Sequence, residues 1–215
     1  MQQLIRQTAP LACAIWLASS ALQTAFAHPH VWVTSKAEIV YDADKIAAVQ
    51  HHWAFDEFYA AMAVQGLDKN NDGVFARDEL DELAKVNMDG LKEFDYFTHA
   101  KFGNAKIKFG PPQDYWLEHV NGILTLHFKL PLTTPLAPAA NGFEFATYDS
   151  SFFIAFELAK GDAITLAGAP QSCKITVGVP EPTPEEKSLT SAMQQQFGGD
   201  AGGGTKSAVV TCGNS

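Results

Sequence analysis

Apolar and polar residues alternate through residues 31–41 (VWVTSKAEIVY), the period of a strand with one buried face. A polar turn, Asp42-Ala43-Asp44-Lys45, separates this stretch from a second strand over residues 46–53, so the two read as an N-terminal hairpin. The period then changes. Phe55, Phe58, Tyr59 and Met62 fall at helical spacing within residues 55–65, and residues 66–77 read as loop. Helical spacing resumes over residues 78–94, with Leu80, Leu83, Ala84, Leu91 and Phe94 as its apolar stripe. Short aromatic and β-branched runs follow at residues 97–102, 106–109, 115–120 and 123–130, with Gly103-Asn104 and Asn121-Gly122 as hairpin turns. A Pro/Ala-rich connection (LTTPLAPAAN, 132–141) leads to strands at 143–148, 152–158 and 175–179.

These elements give an α+β fold: a mostly antiparallel, sandwich-like β domain over residues 28–179, with an EF-hand-like helix–loop–helix inserted at 55–95. Residues 180–184 read as a stiff linker, 185–197 as a short polar helix, and 208–212 (AVVTC) as a final strand. Cysteine usage ties that 180–215 segment back. Cys173 and Cys212 remain once Cys13 leaves with the N-terminal segment, and an even pair in an oxidising compartment reads as a disulfide. The rival is a thiolate metal site, for which two lone cysteines lack the usual paired spacing.

The N-terminal segment sets the compartment. Arg6 precedes an apolar stretch from Leu11 to Leu22, and Ala25-Phe26-Ala27 supplies a small-x-small cleavage pattern, so residues 1–27 read as a cleaved signal peptide and the chain as periplasmic. The stretch is too short for a permanent anchor, and no span is expected in the mature chain. Among 15 basic and 24 acidic residues, Arg6 is the only charge before residue 28, which leaves 14 against 24 and a formal charge of −10 after cleavage. Nucleic acid and anionic lipid are poor partners for such a surface.

Two stretches carry candidate metal chemistry. Residues 68–79 (DKNNDGVFARDE) match a twelve-residue EF-hand loop. Asp68, Asn70 and Asp72 offer side-chain oxygens on alternate residues, Gly73 allows the sharp bend, Val74 gives its carbonyl, and Glu79 closes the shell with two oxygens. Phe75 is the apolar pin, and Ala76 leaves its place to water. Three anionic side chains and no second hand to pair with place its Ca2+ affinity at the weak, extracellular end of the range. A solvated acidic turn is the alternative.

Cleavage after Ala27 puts His28 first and His30 third in the mature chain. An α-amine and an imidazole can brace one Zn2+, Ni2+ or Cu2+ ion, and Pro29 excludes the square-planar motif that needs a deprotonated second amide. On the partner strand, adjacent His51 and His52 point to opposite faces, so only one can join; His52 is the candidate, with Asp149 as a further ligand or else a turn residue. A plain frayed terminus is the alternative. His99, His119 and His127 are scattered and read as structural. Hydrolase, zincin and phosphate-loop motifs are missing, so no catalytic residue is assigned.

The segments HPHVWV, HHWAFDEFY, DKNNDG, LKEFDYFTHAKFG, LHFKLPLTTPL and YDSSFFIAFEL, in this order, resemble a family of bacterial periplasmic proteins of unknown function. Its members are often described as the periplasmic component of an uncharacterised ABC-type transport system. The resemblance covers residues 28–158 and implies an exported metal-handling accessory, encoded beside nickel/cobalt-type permeases. It marks His28, His30, Asp149 and the acidic loop, although Ser150 stands where the family often has proline after the YD pair. The expected function is a calcium-binding accessory or solute-binding protein of a transition-metal transport system, with a membrane transporter as partner. The alternatives are an N-terminal-histidine copper enzyme and a calcium-stabilised interaction module without a transition metal.

Overall fold

The computed structural model describes residues 29–137, 142–151, 153–179 and 206–213. The proposed signal peptide, His28, the 180–184 linker and the 185–197 helix lie outside these residues. Two sheets and two helices make up the described chain. β1 (Val31–Asp42) and β2 (Lys45–Phe55) form the expected hairpin, with Ala43 and Asp44 both at positive φ (45° and 62°) in the tight turn. Burial alternates strictly along β1 from Val31 to Ala37, as the apolar period demands. β5 (Gln113–Val120) and β6 (Ile123–Leu136) form a second hairpin around Asn121-Gly122, and β6 pairs with β2.

β8 (Ile154–Leu158) and β9 (Ile164–Ala167) both add to β1 in parallel. The first sheet therefore runs β5-β6-β2-β1-β8, with β9 continuing beside β1. The other strand pairings among the described residues are antiparallel, as expected of a mostly antiparallel domain; these two are the exception, because the long β1 offers its free edge to two successive short strands. β9 has no counterpart in the sequence reading: four residues are too few to declare a period. β6 also runs five residues into the stretch read as a connection. Pro131 and Pro135 fall within it, and Leu136 pairs with Ile46 across a register shift.

The second sheet has the order β10-β11-β7-β3-β4, from β3 (Thr98–Phe102), β4 (Ala105–Lys106), β7 (Phe143–Thr147), β10 (Cys173–Gly178) and β11 (Ser207–Cys212). It covers one end of the inner face of the first sheet, where Ile39, Ile46 and Val49 meet Phe143, Phe145 and Val210. Cys173 and Cys212 are disulfide-bonded directly across β10 and β11, 39 residues apart in sequence. On the chain-entropy account a loop of that length stabilises the fold by about 4 kcal/mol.

α1 (Glu57–Ala63) and α2 (Arg77–Leu91) cover the other end. Leu80, Ala84 and Met88 of α2 pack with Trp53, Leu117, Leu124 and Leu126. α1 starts two residues later than its periodicity suggests, because Phe55 is still paired with Val33 and Asp56 takes the N-cap, its Oδ1 accepting from Tyr59 N at 2.9 Å. α2 stops at Leu91, short of Phe94. A tight turn, Lys92–Phe97, follows, with Asp95, Tyr96 and Phe97 at φ 50°, 53° and 47°. Three successive side-chain-bearing residues in the left-handed region are costly. Their return is the burial of Tyr96 and Phe97 in the core. No helix among the described residues is long and apolar enough to cross a membrane.

Candidate functional site

The loop of residues 68–79 is wrapped by its own side chains. Asp68 accepts from Asp72 N (3.2 Å) and Gly73 N (3.0 Å), Asn70 Oδ1 from Asp72 N (2.9 Å), and Asp72 Oδ1 from Val74 N (2.8 Å). Gly73 takes φ 78°, the bend its position requires. Glu79, 7 % exposed, closes the ring: Oε1 accepts from Lys69 N at 2.8 Å and Oε2 from Ala76 N at 3.0 Å. Glu79 thus serves as the third residue of α2 reaching back to its N-cap. Each oxygen that accepts one N–H keeps a further lone pair, so the loop has the donor set that a hard cation needs. Among the described residues no three His, Cys, Asp or Glu side chains converge by themselves on one point. The residues that would hold such an ion are Asp68, Asn70, Asp72 and Glu79, with the Val74 carbonyl. Phe75 packs edge-on against His119 at 4.8 Å, pinning the loop to β5.

Four of the segments that carry the family resemblance meet at the N-terminal end of β1. Asp56 exchanges two bonds with Trp32, from Trp32 N to Oδ2 and from Asp56 N to Trp32 O, both 2.9 Å. His30 N donates to Phe153 O at 2.8 Å, and its exposed ring tilts over Phe153 at 5.0 Å. Asp149 is spent on the turn beside it, accepting from Ser151 N and Oγ, Phe153 N and Ile154 N at 2.7–3.1 Å. Burial raises the Asp149 carboxyl, but these bonds more than offset it and hold it below the ordinary range. The structure thus places Asp149 as the cap of this turn, near His30 but facing the backbone. Tyr148 N donates to Phe97 O at 3.1 Å, and the Tyr148 ring stacks on His99 at 3.8 Å.

His51 and His52 do point to opposite faces. His51 is fully buried: its Nε2 bonds Thr98 Oγ1 at 3.1 Å, and its ring stacks on Phe128 at 4.6 Å. Thr98 Oγ1 donates to Tyr96 O at 2.8 Å, so it accepts from His51 and the imidazole proton sits on Nε2. Burial, with the neighbouring His52, pushes the His51 pKa down to about 3.

His52 does not reach the N-terminal end. It lies opposite Lys36, six positions along β1 from His30, which is about 20 Å of extended chain. Of the expected set, His52 therefore lies apart from His30 and Asp149, while His28 lies outside the described residues. Its partner is His127, paired with it across β2 and β6, with the two Nδ1 atoms 2.6 Å apart. His127 Nε2 in turn meets Glu118 Oε1 at 3.1 Å, and its ring stacks on Trp116 at 4.4 Å. Burial lowers the pKa of both histidines. His127, read from sequence as structural, and Glu118, not singled out at all, belong to this cluster through strand register. The only local signal was the HH pair itself, which guarantees one histidine on each face.

Comparison with known proteins adds relatives but no activity. Over 150 residues, 69 % of this chain and 71 % of the relative, the sequence is 24 % identical to an uncharacterised protein of Haemophilus influenzae. Over 115 residues, 54 % of this chain and 76 % of the relative, it is 32 % identical to an uncharacterised 15.5 kDa protein in the trpE 3′ region of Spirochaeta aurantia. Residues 12–209 match the family described as "Protein of unknown function (DUF1007)". With nearly the whole chain inside that match, from the N-terminal segment to the disulfide-tied β11, the protein belongs to the DUF1007 family.

Proposed function

We propose that this protein is an exported, calcium-clamped accessory of a transition-metal transport system, acting in the periplasm as a binding component. The observation that carries the calcium part is the loop itself. Oxygen-bearing side chains stand at alternate positions, a glycine takes positive φ at the sixth, and a buried glutamate joins the two ends. Its place supports a clamp rather than a sensor. The loop joins α1 to α2, and both pack on the same end of the first sheet. Closing it holds both helices to that sheet. Export is supported by the Ala25-Phe26-Ala27 pattern together with the Cys173–Cys212 disulfide. The transition-metal part rests on the resemblance and on imidazoles that burial keeps neutral, the form that binds metal.

Thermal unfolding in calcium and in chelator tests the clamp. A ligand at a hundred times its Kd stabilises by about 2.7 kcal/mol, which is roughly 5–10 °C for a chain of this size. The unsubstituted protein is expected to lose that increment in chelator, while Glu79→Gln melts at nearly the same temperature in both. Equal melting of the unsubstituted protein with and without calcium contradicts the clamp.

A further inference from the structure

The outer face of the first sheet carries a cluster that neither the acidic loop nor the N-terminal end uses. His52 and His127 present their Nδ1 atoms to each other at 2.6 Å. Two bare lone pairs repel at that distance, so something positive lies between them. In the neutral pair it is a proton, and Glu118 determines whose. His127 Nε2–H donates to Glu118 Oε1, which leaves His127 Nδ1 bare, so His52 supplies the Nδ1 proton and keeps a bare Nε2.

We propose that this pair is a two-nitrogen site for a borderline divalent transition metal, bound by Nδ1 of His52 and Nδ1 of His127. The inference rests on the metal-handling reading and gives it a place. Imidazole suits zinc, nickel, copper and cobalt. A carboxylate behind a ligating imidazole fixes its tautomer and strengthens it as a donor, the part Glu118 plays. The ring plane of His127 is set by Trp116, parallel to within 14°, and Arg77 lies over Trp116 at 4.8 Å. The charges acting on the pair are Lys36 and Glu38 from β1, Glu118 from β5 and Arg77 from α2; two acids offset two bases.

Metal binding leaves the proton count unchanged. The ion takes the place of the shared proton, which moves on His52 from Nδ1 to the bare Nε2. Tetrahedral bonds near 2.0 Å set the two nitrogens about 3.3 Å apart, so the side chains open by a fraction of an ångström. Two protein donors leave the other positions to water. That arrangement suits an ion passed on rather than stored.

The test is cobalt titration, followed by visible absorption, of the chain purified after export and kept in calcium. The expected result is one Co2+ per chain, with affinity lowered about ten- to hundredfold in Glu118→Gln, lost in His52→Gln and His127→Gln, and unchanged in His30→Ala. Nitrogen-15 NMR of the unsubstituted protein needs no variant to fold. Zn2+ should shift Nδ1 of His52 and His127 and move the His52 proton to Nε2. Cobalt binding lost only in His30→Ala, with His52 and His127 signals unmoved by zinc, overturns this site and leaves the metal-handling reading standing. No cobalt or zinc binding to the unsubstituted protein overturns both.

Discussion

In the acidic loop no hydrogen bond joins residues more than ten positions apart, whereas His51 is held by Thr98 across 47 positions and His52 by His127 across 75. The loop is short-range and exposed, and its polar groups are satisfied by neighbouring backbone. The histidine pair is long-range, one ring in the apolar core and the other on the sheet face. A local structure of the first kind, with so few long-range contacts, can open without the rest of the fold, and a bound ion would add stability there. A structure of the second kind stands or falls with the whole fold.

The largest effect separates the two directly. His51→Ala removes a buried ring stacked on Phe128 and the bond to Thr98 Oγ1, which costs about 3 kcal/mol by analogy with large-to-small core substitutions. Calcium should rescue none of it, and equal loss in calcium and chelator is the check. Glu79→Gln comes next. It weakens a buried carboxylate holding two backbone N–H groups, worth about 2 kcal/mol for charged acceptors, and the loss should be larger with calcium than without. A loss that ignores calcium would make Glu79 a helix cap and nothing more.

Acid sharpens the contrast from the other side. His51 has its pKa depressed from 6.5 to about 3 in the folded chain. Above pH 6.5 the ring is neutral in both states and costs nothing. Below it the unfolded chain takes up a proton that the folded one refuses, so stability falls as pH drops from 6.5 toward 3, by at most about 1.4 kcal/mol per pH unit. His51→Phe should flatten that part of the stability profile, and an unchanged slope would assign the acid sensitivity elsewhere. The smallest effect belongs to Asp56→Ala. It removes the α1 cap and the bond to Trp32, and costs about 1 kcal/mol in denaturant unfolding.

The same contrast explains what the sequence makes visible. The twelve-residue loop is legible because its pattern, oxygen-bearing residues on alternate positions around Gly73, is written in consecutive residues. The β1–β2 and β5–β6 hairpins are legible because their turns lie between alternating strands. The parallel pairing of β8 and β9 with β1 is not, since nothing in either short strand records which edge it joins. His52 facing His127 is equally hidden, because it depends on the β2–β6 register, and a one-residue slip would turn one ring inward and separate the pair. In sequence Asp149 is equally a ligand or a turn residue, and only the bonds from Ser151, Phe153 and Ile154 show what its carboxylate does.

The central claim, a calcium clamp in residues 68–79, is tested most directly by counting calcium. Equilibrium dialysis of chelator-stripped protein against calcium should find one ion per chain, and none in Asp68→Ala at the same concentration. Stoichiometric binding that persists in Asp68→Ala, or no binding at millimolar calcium, contradicts the account.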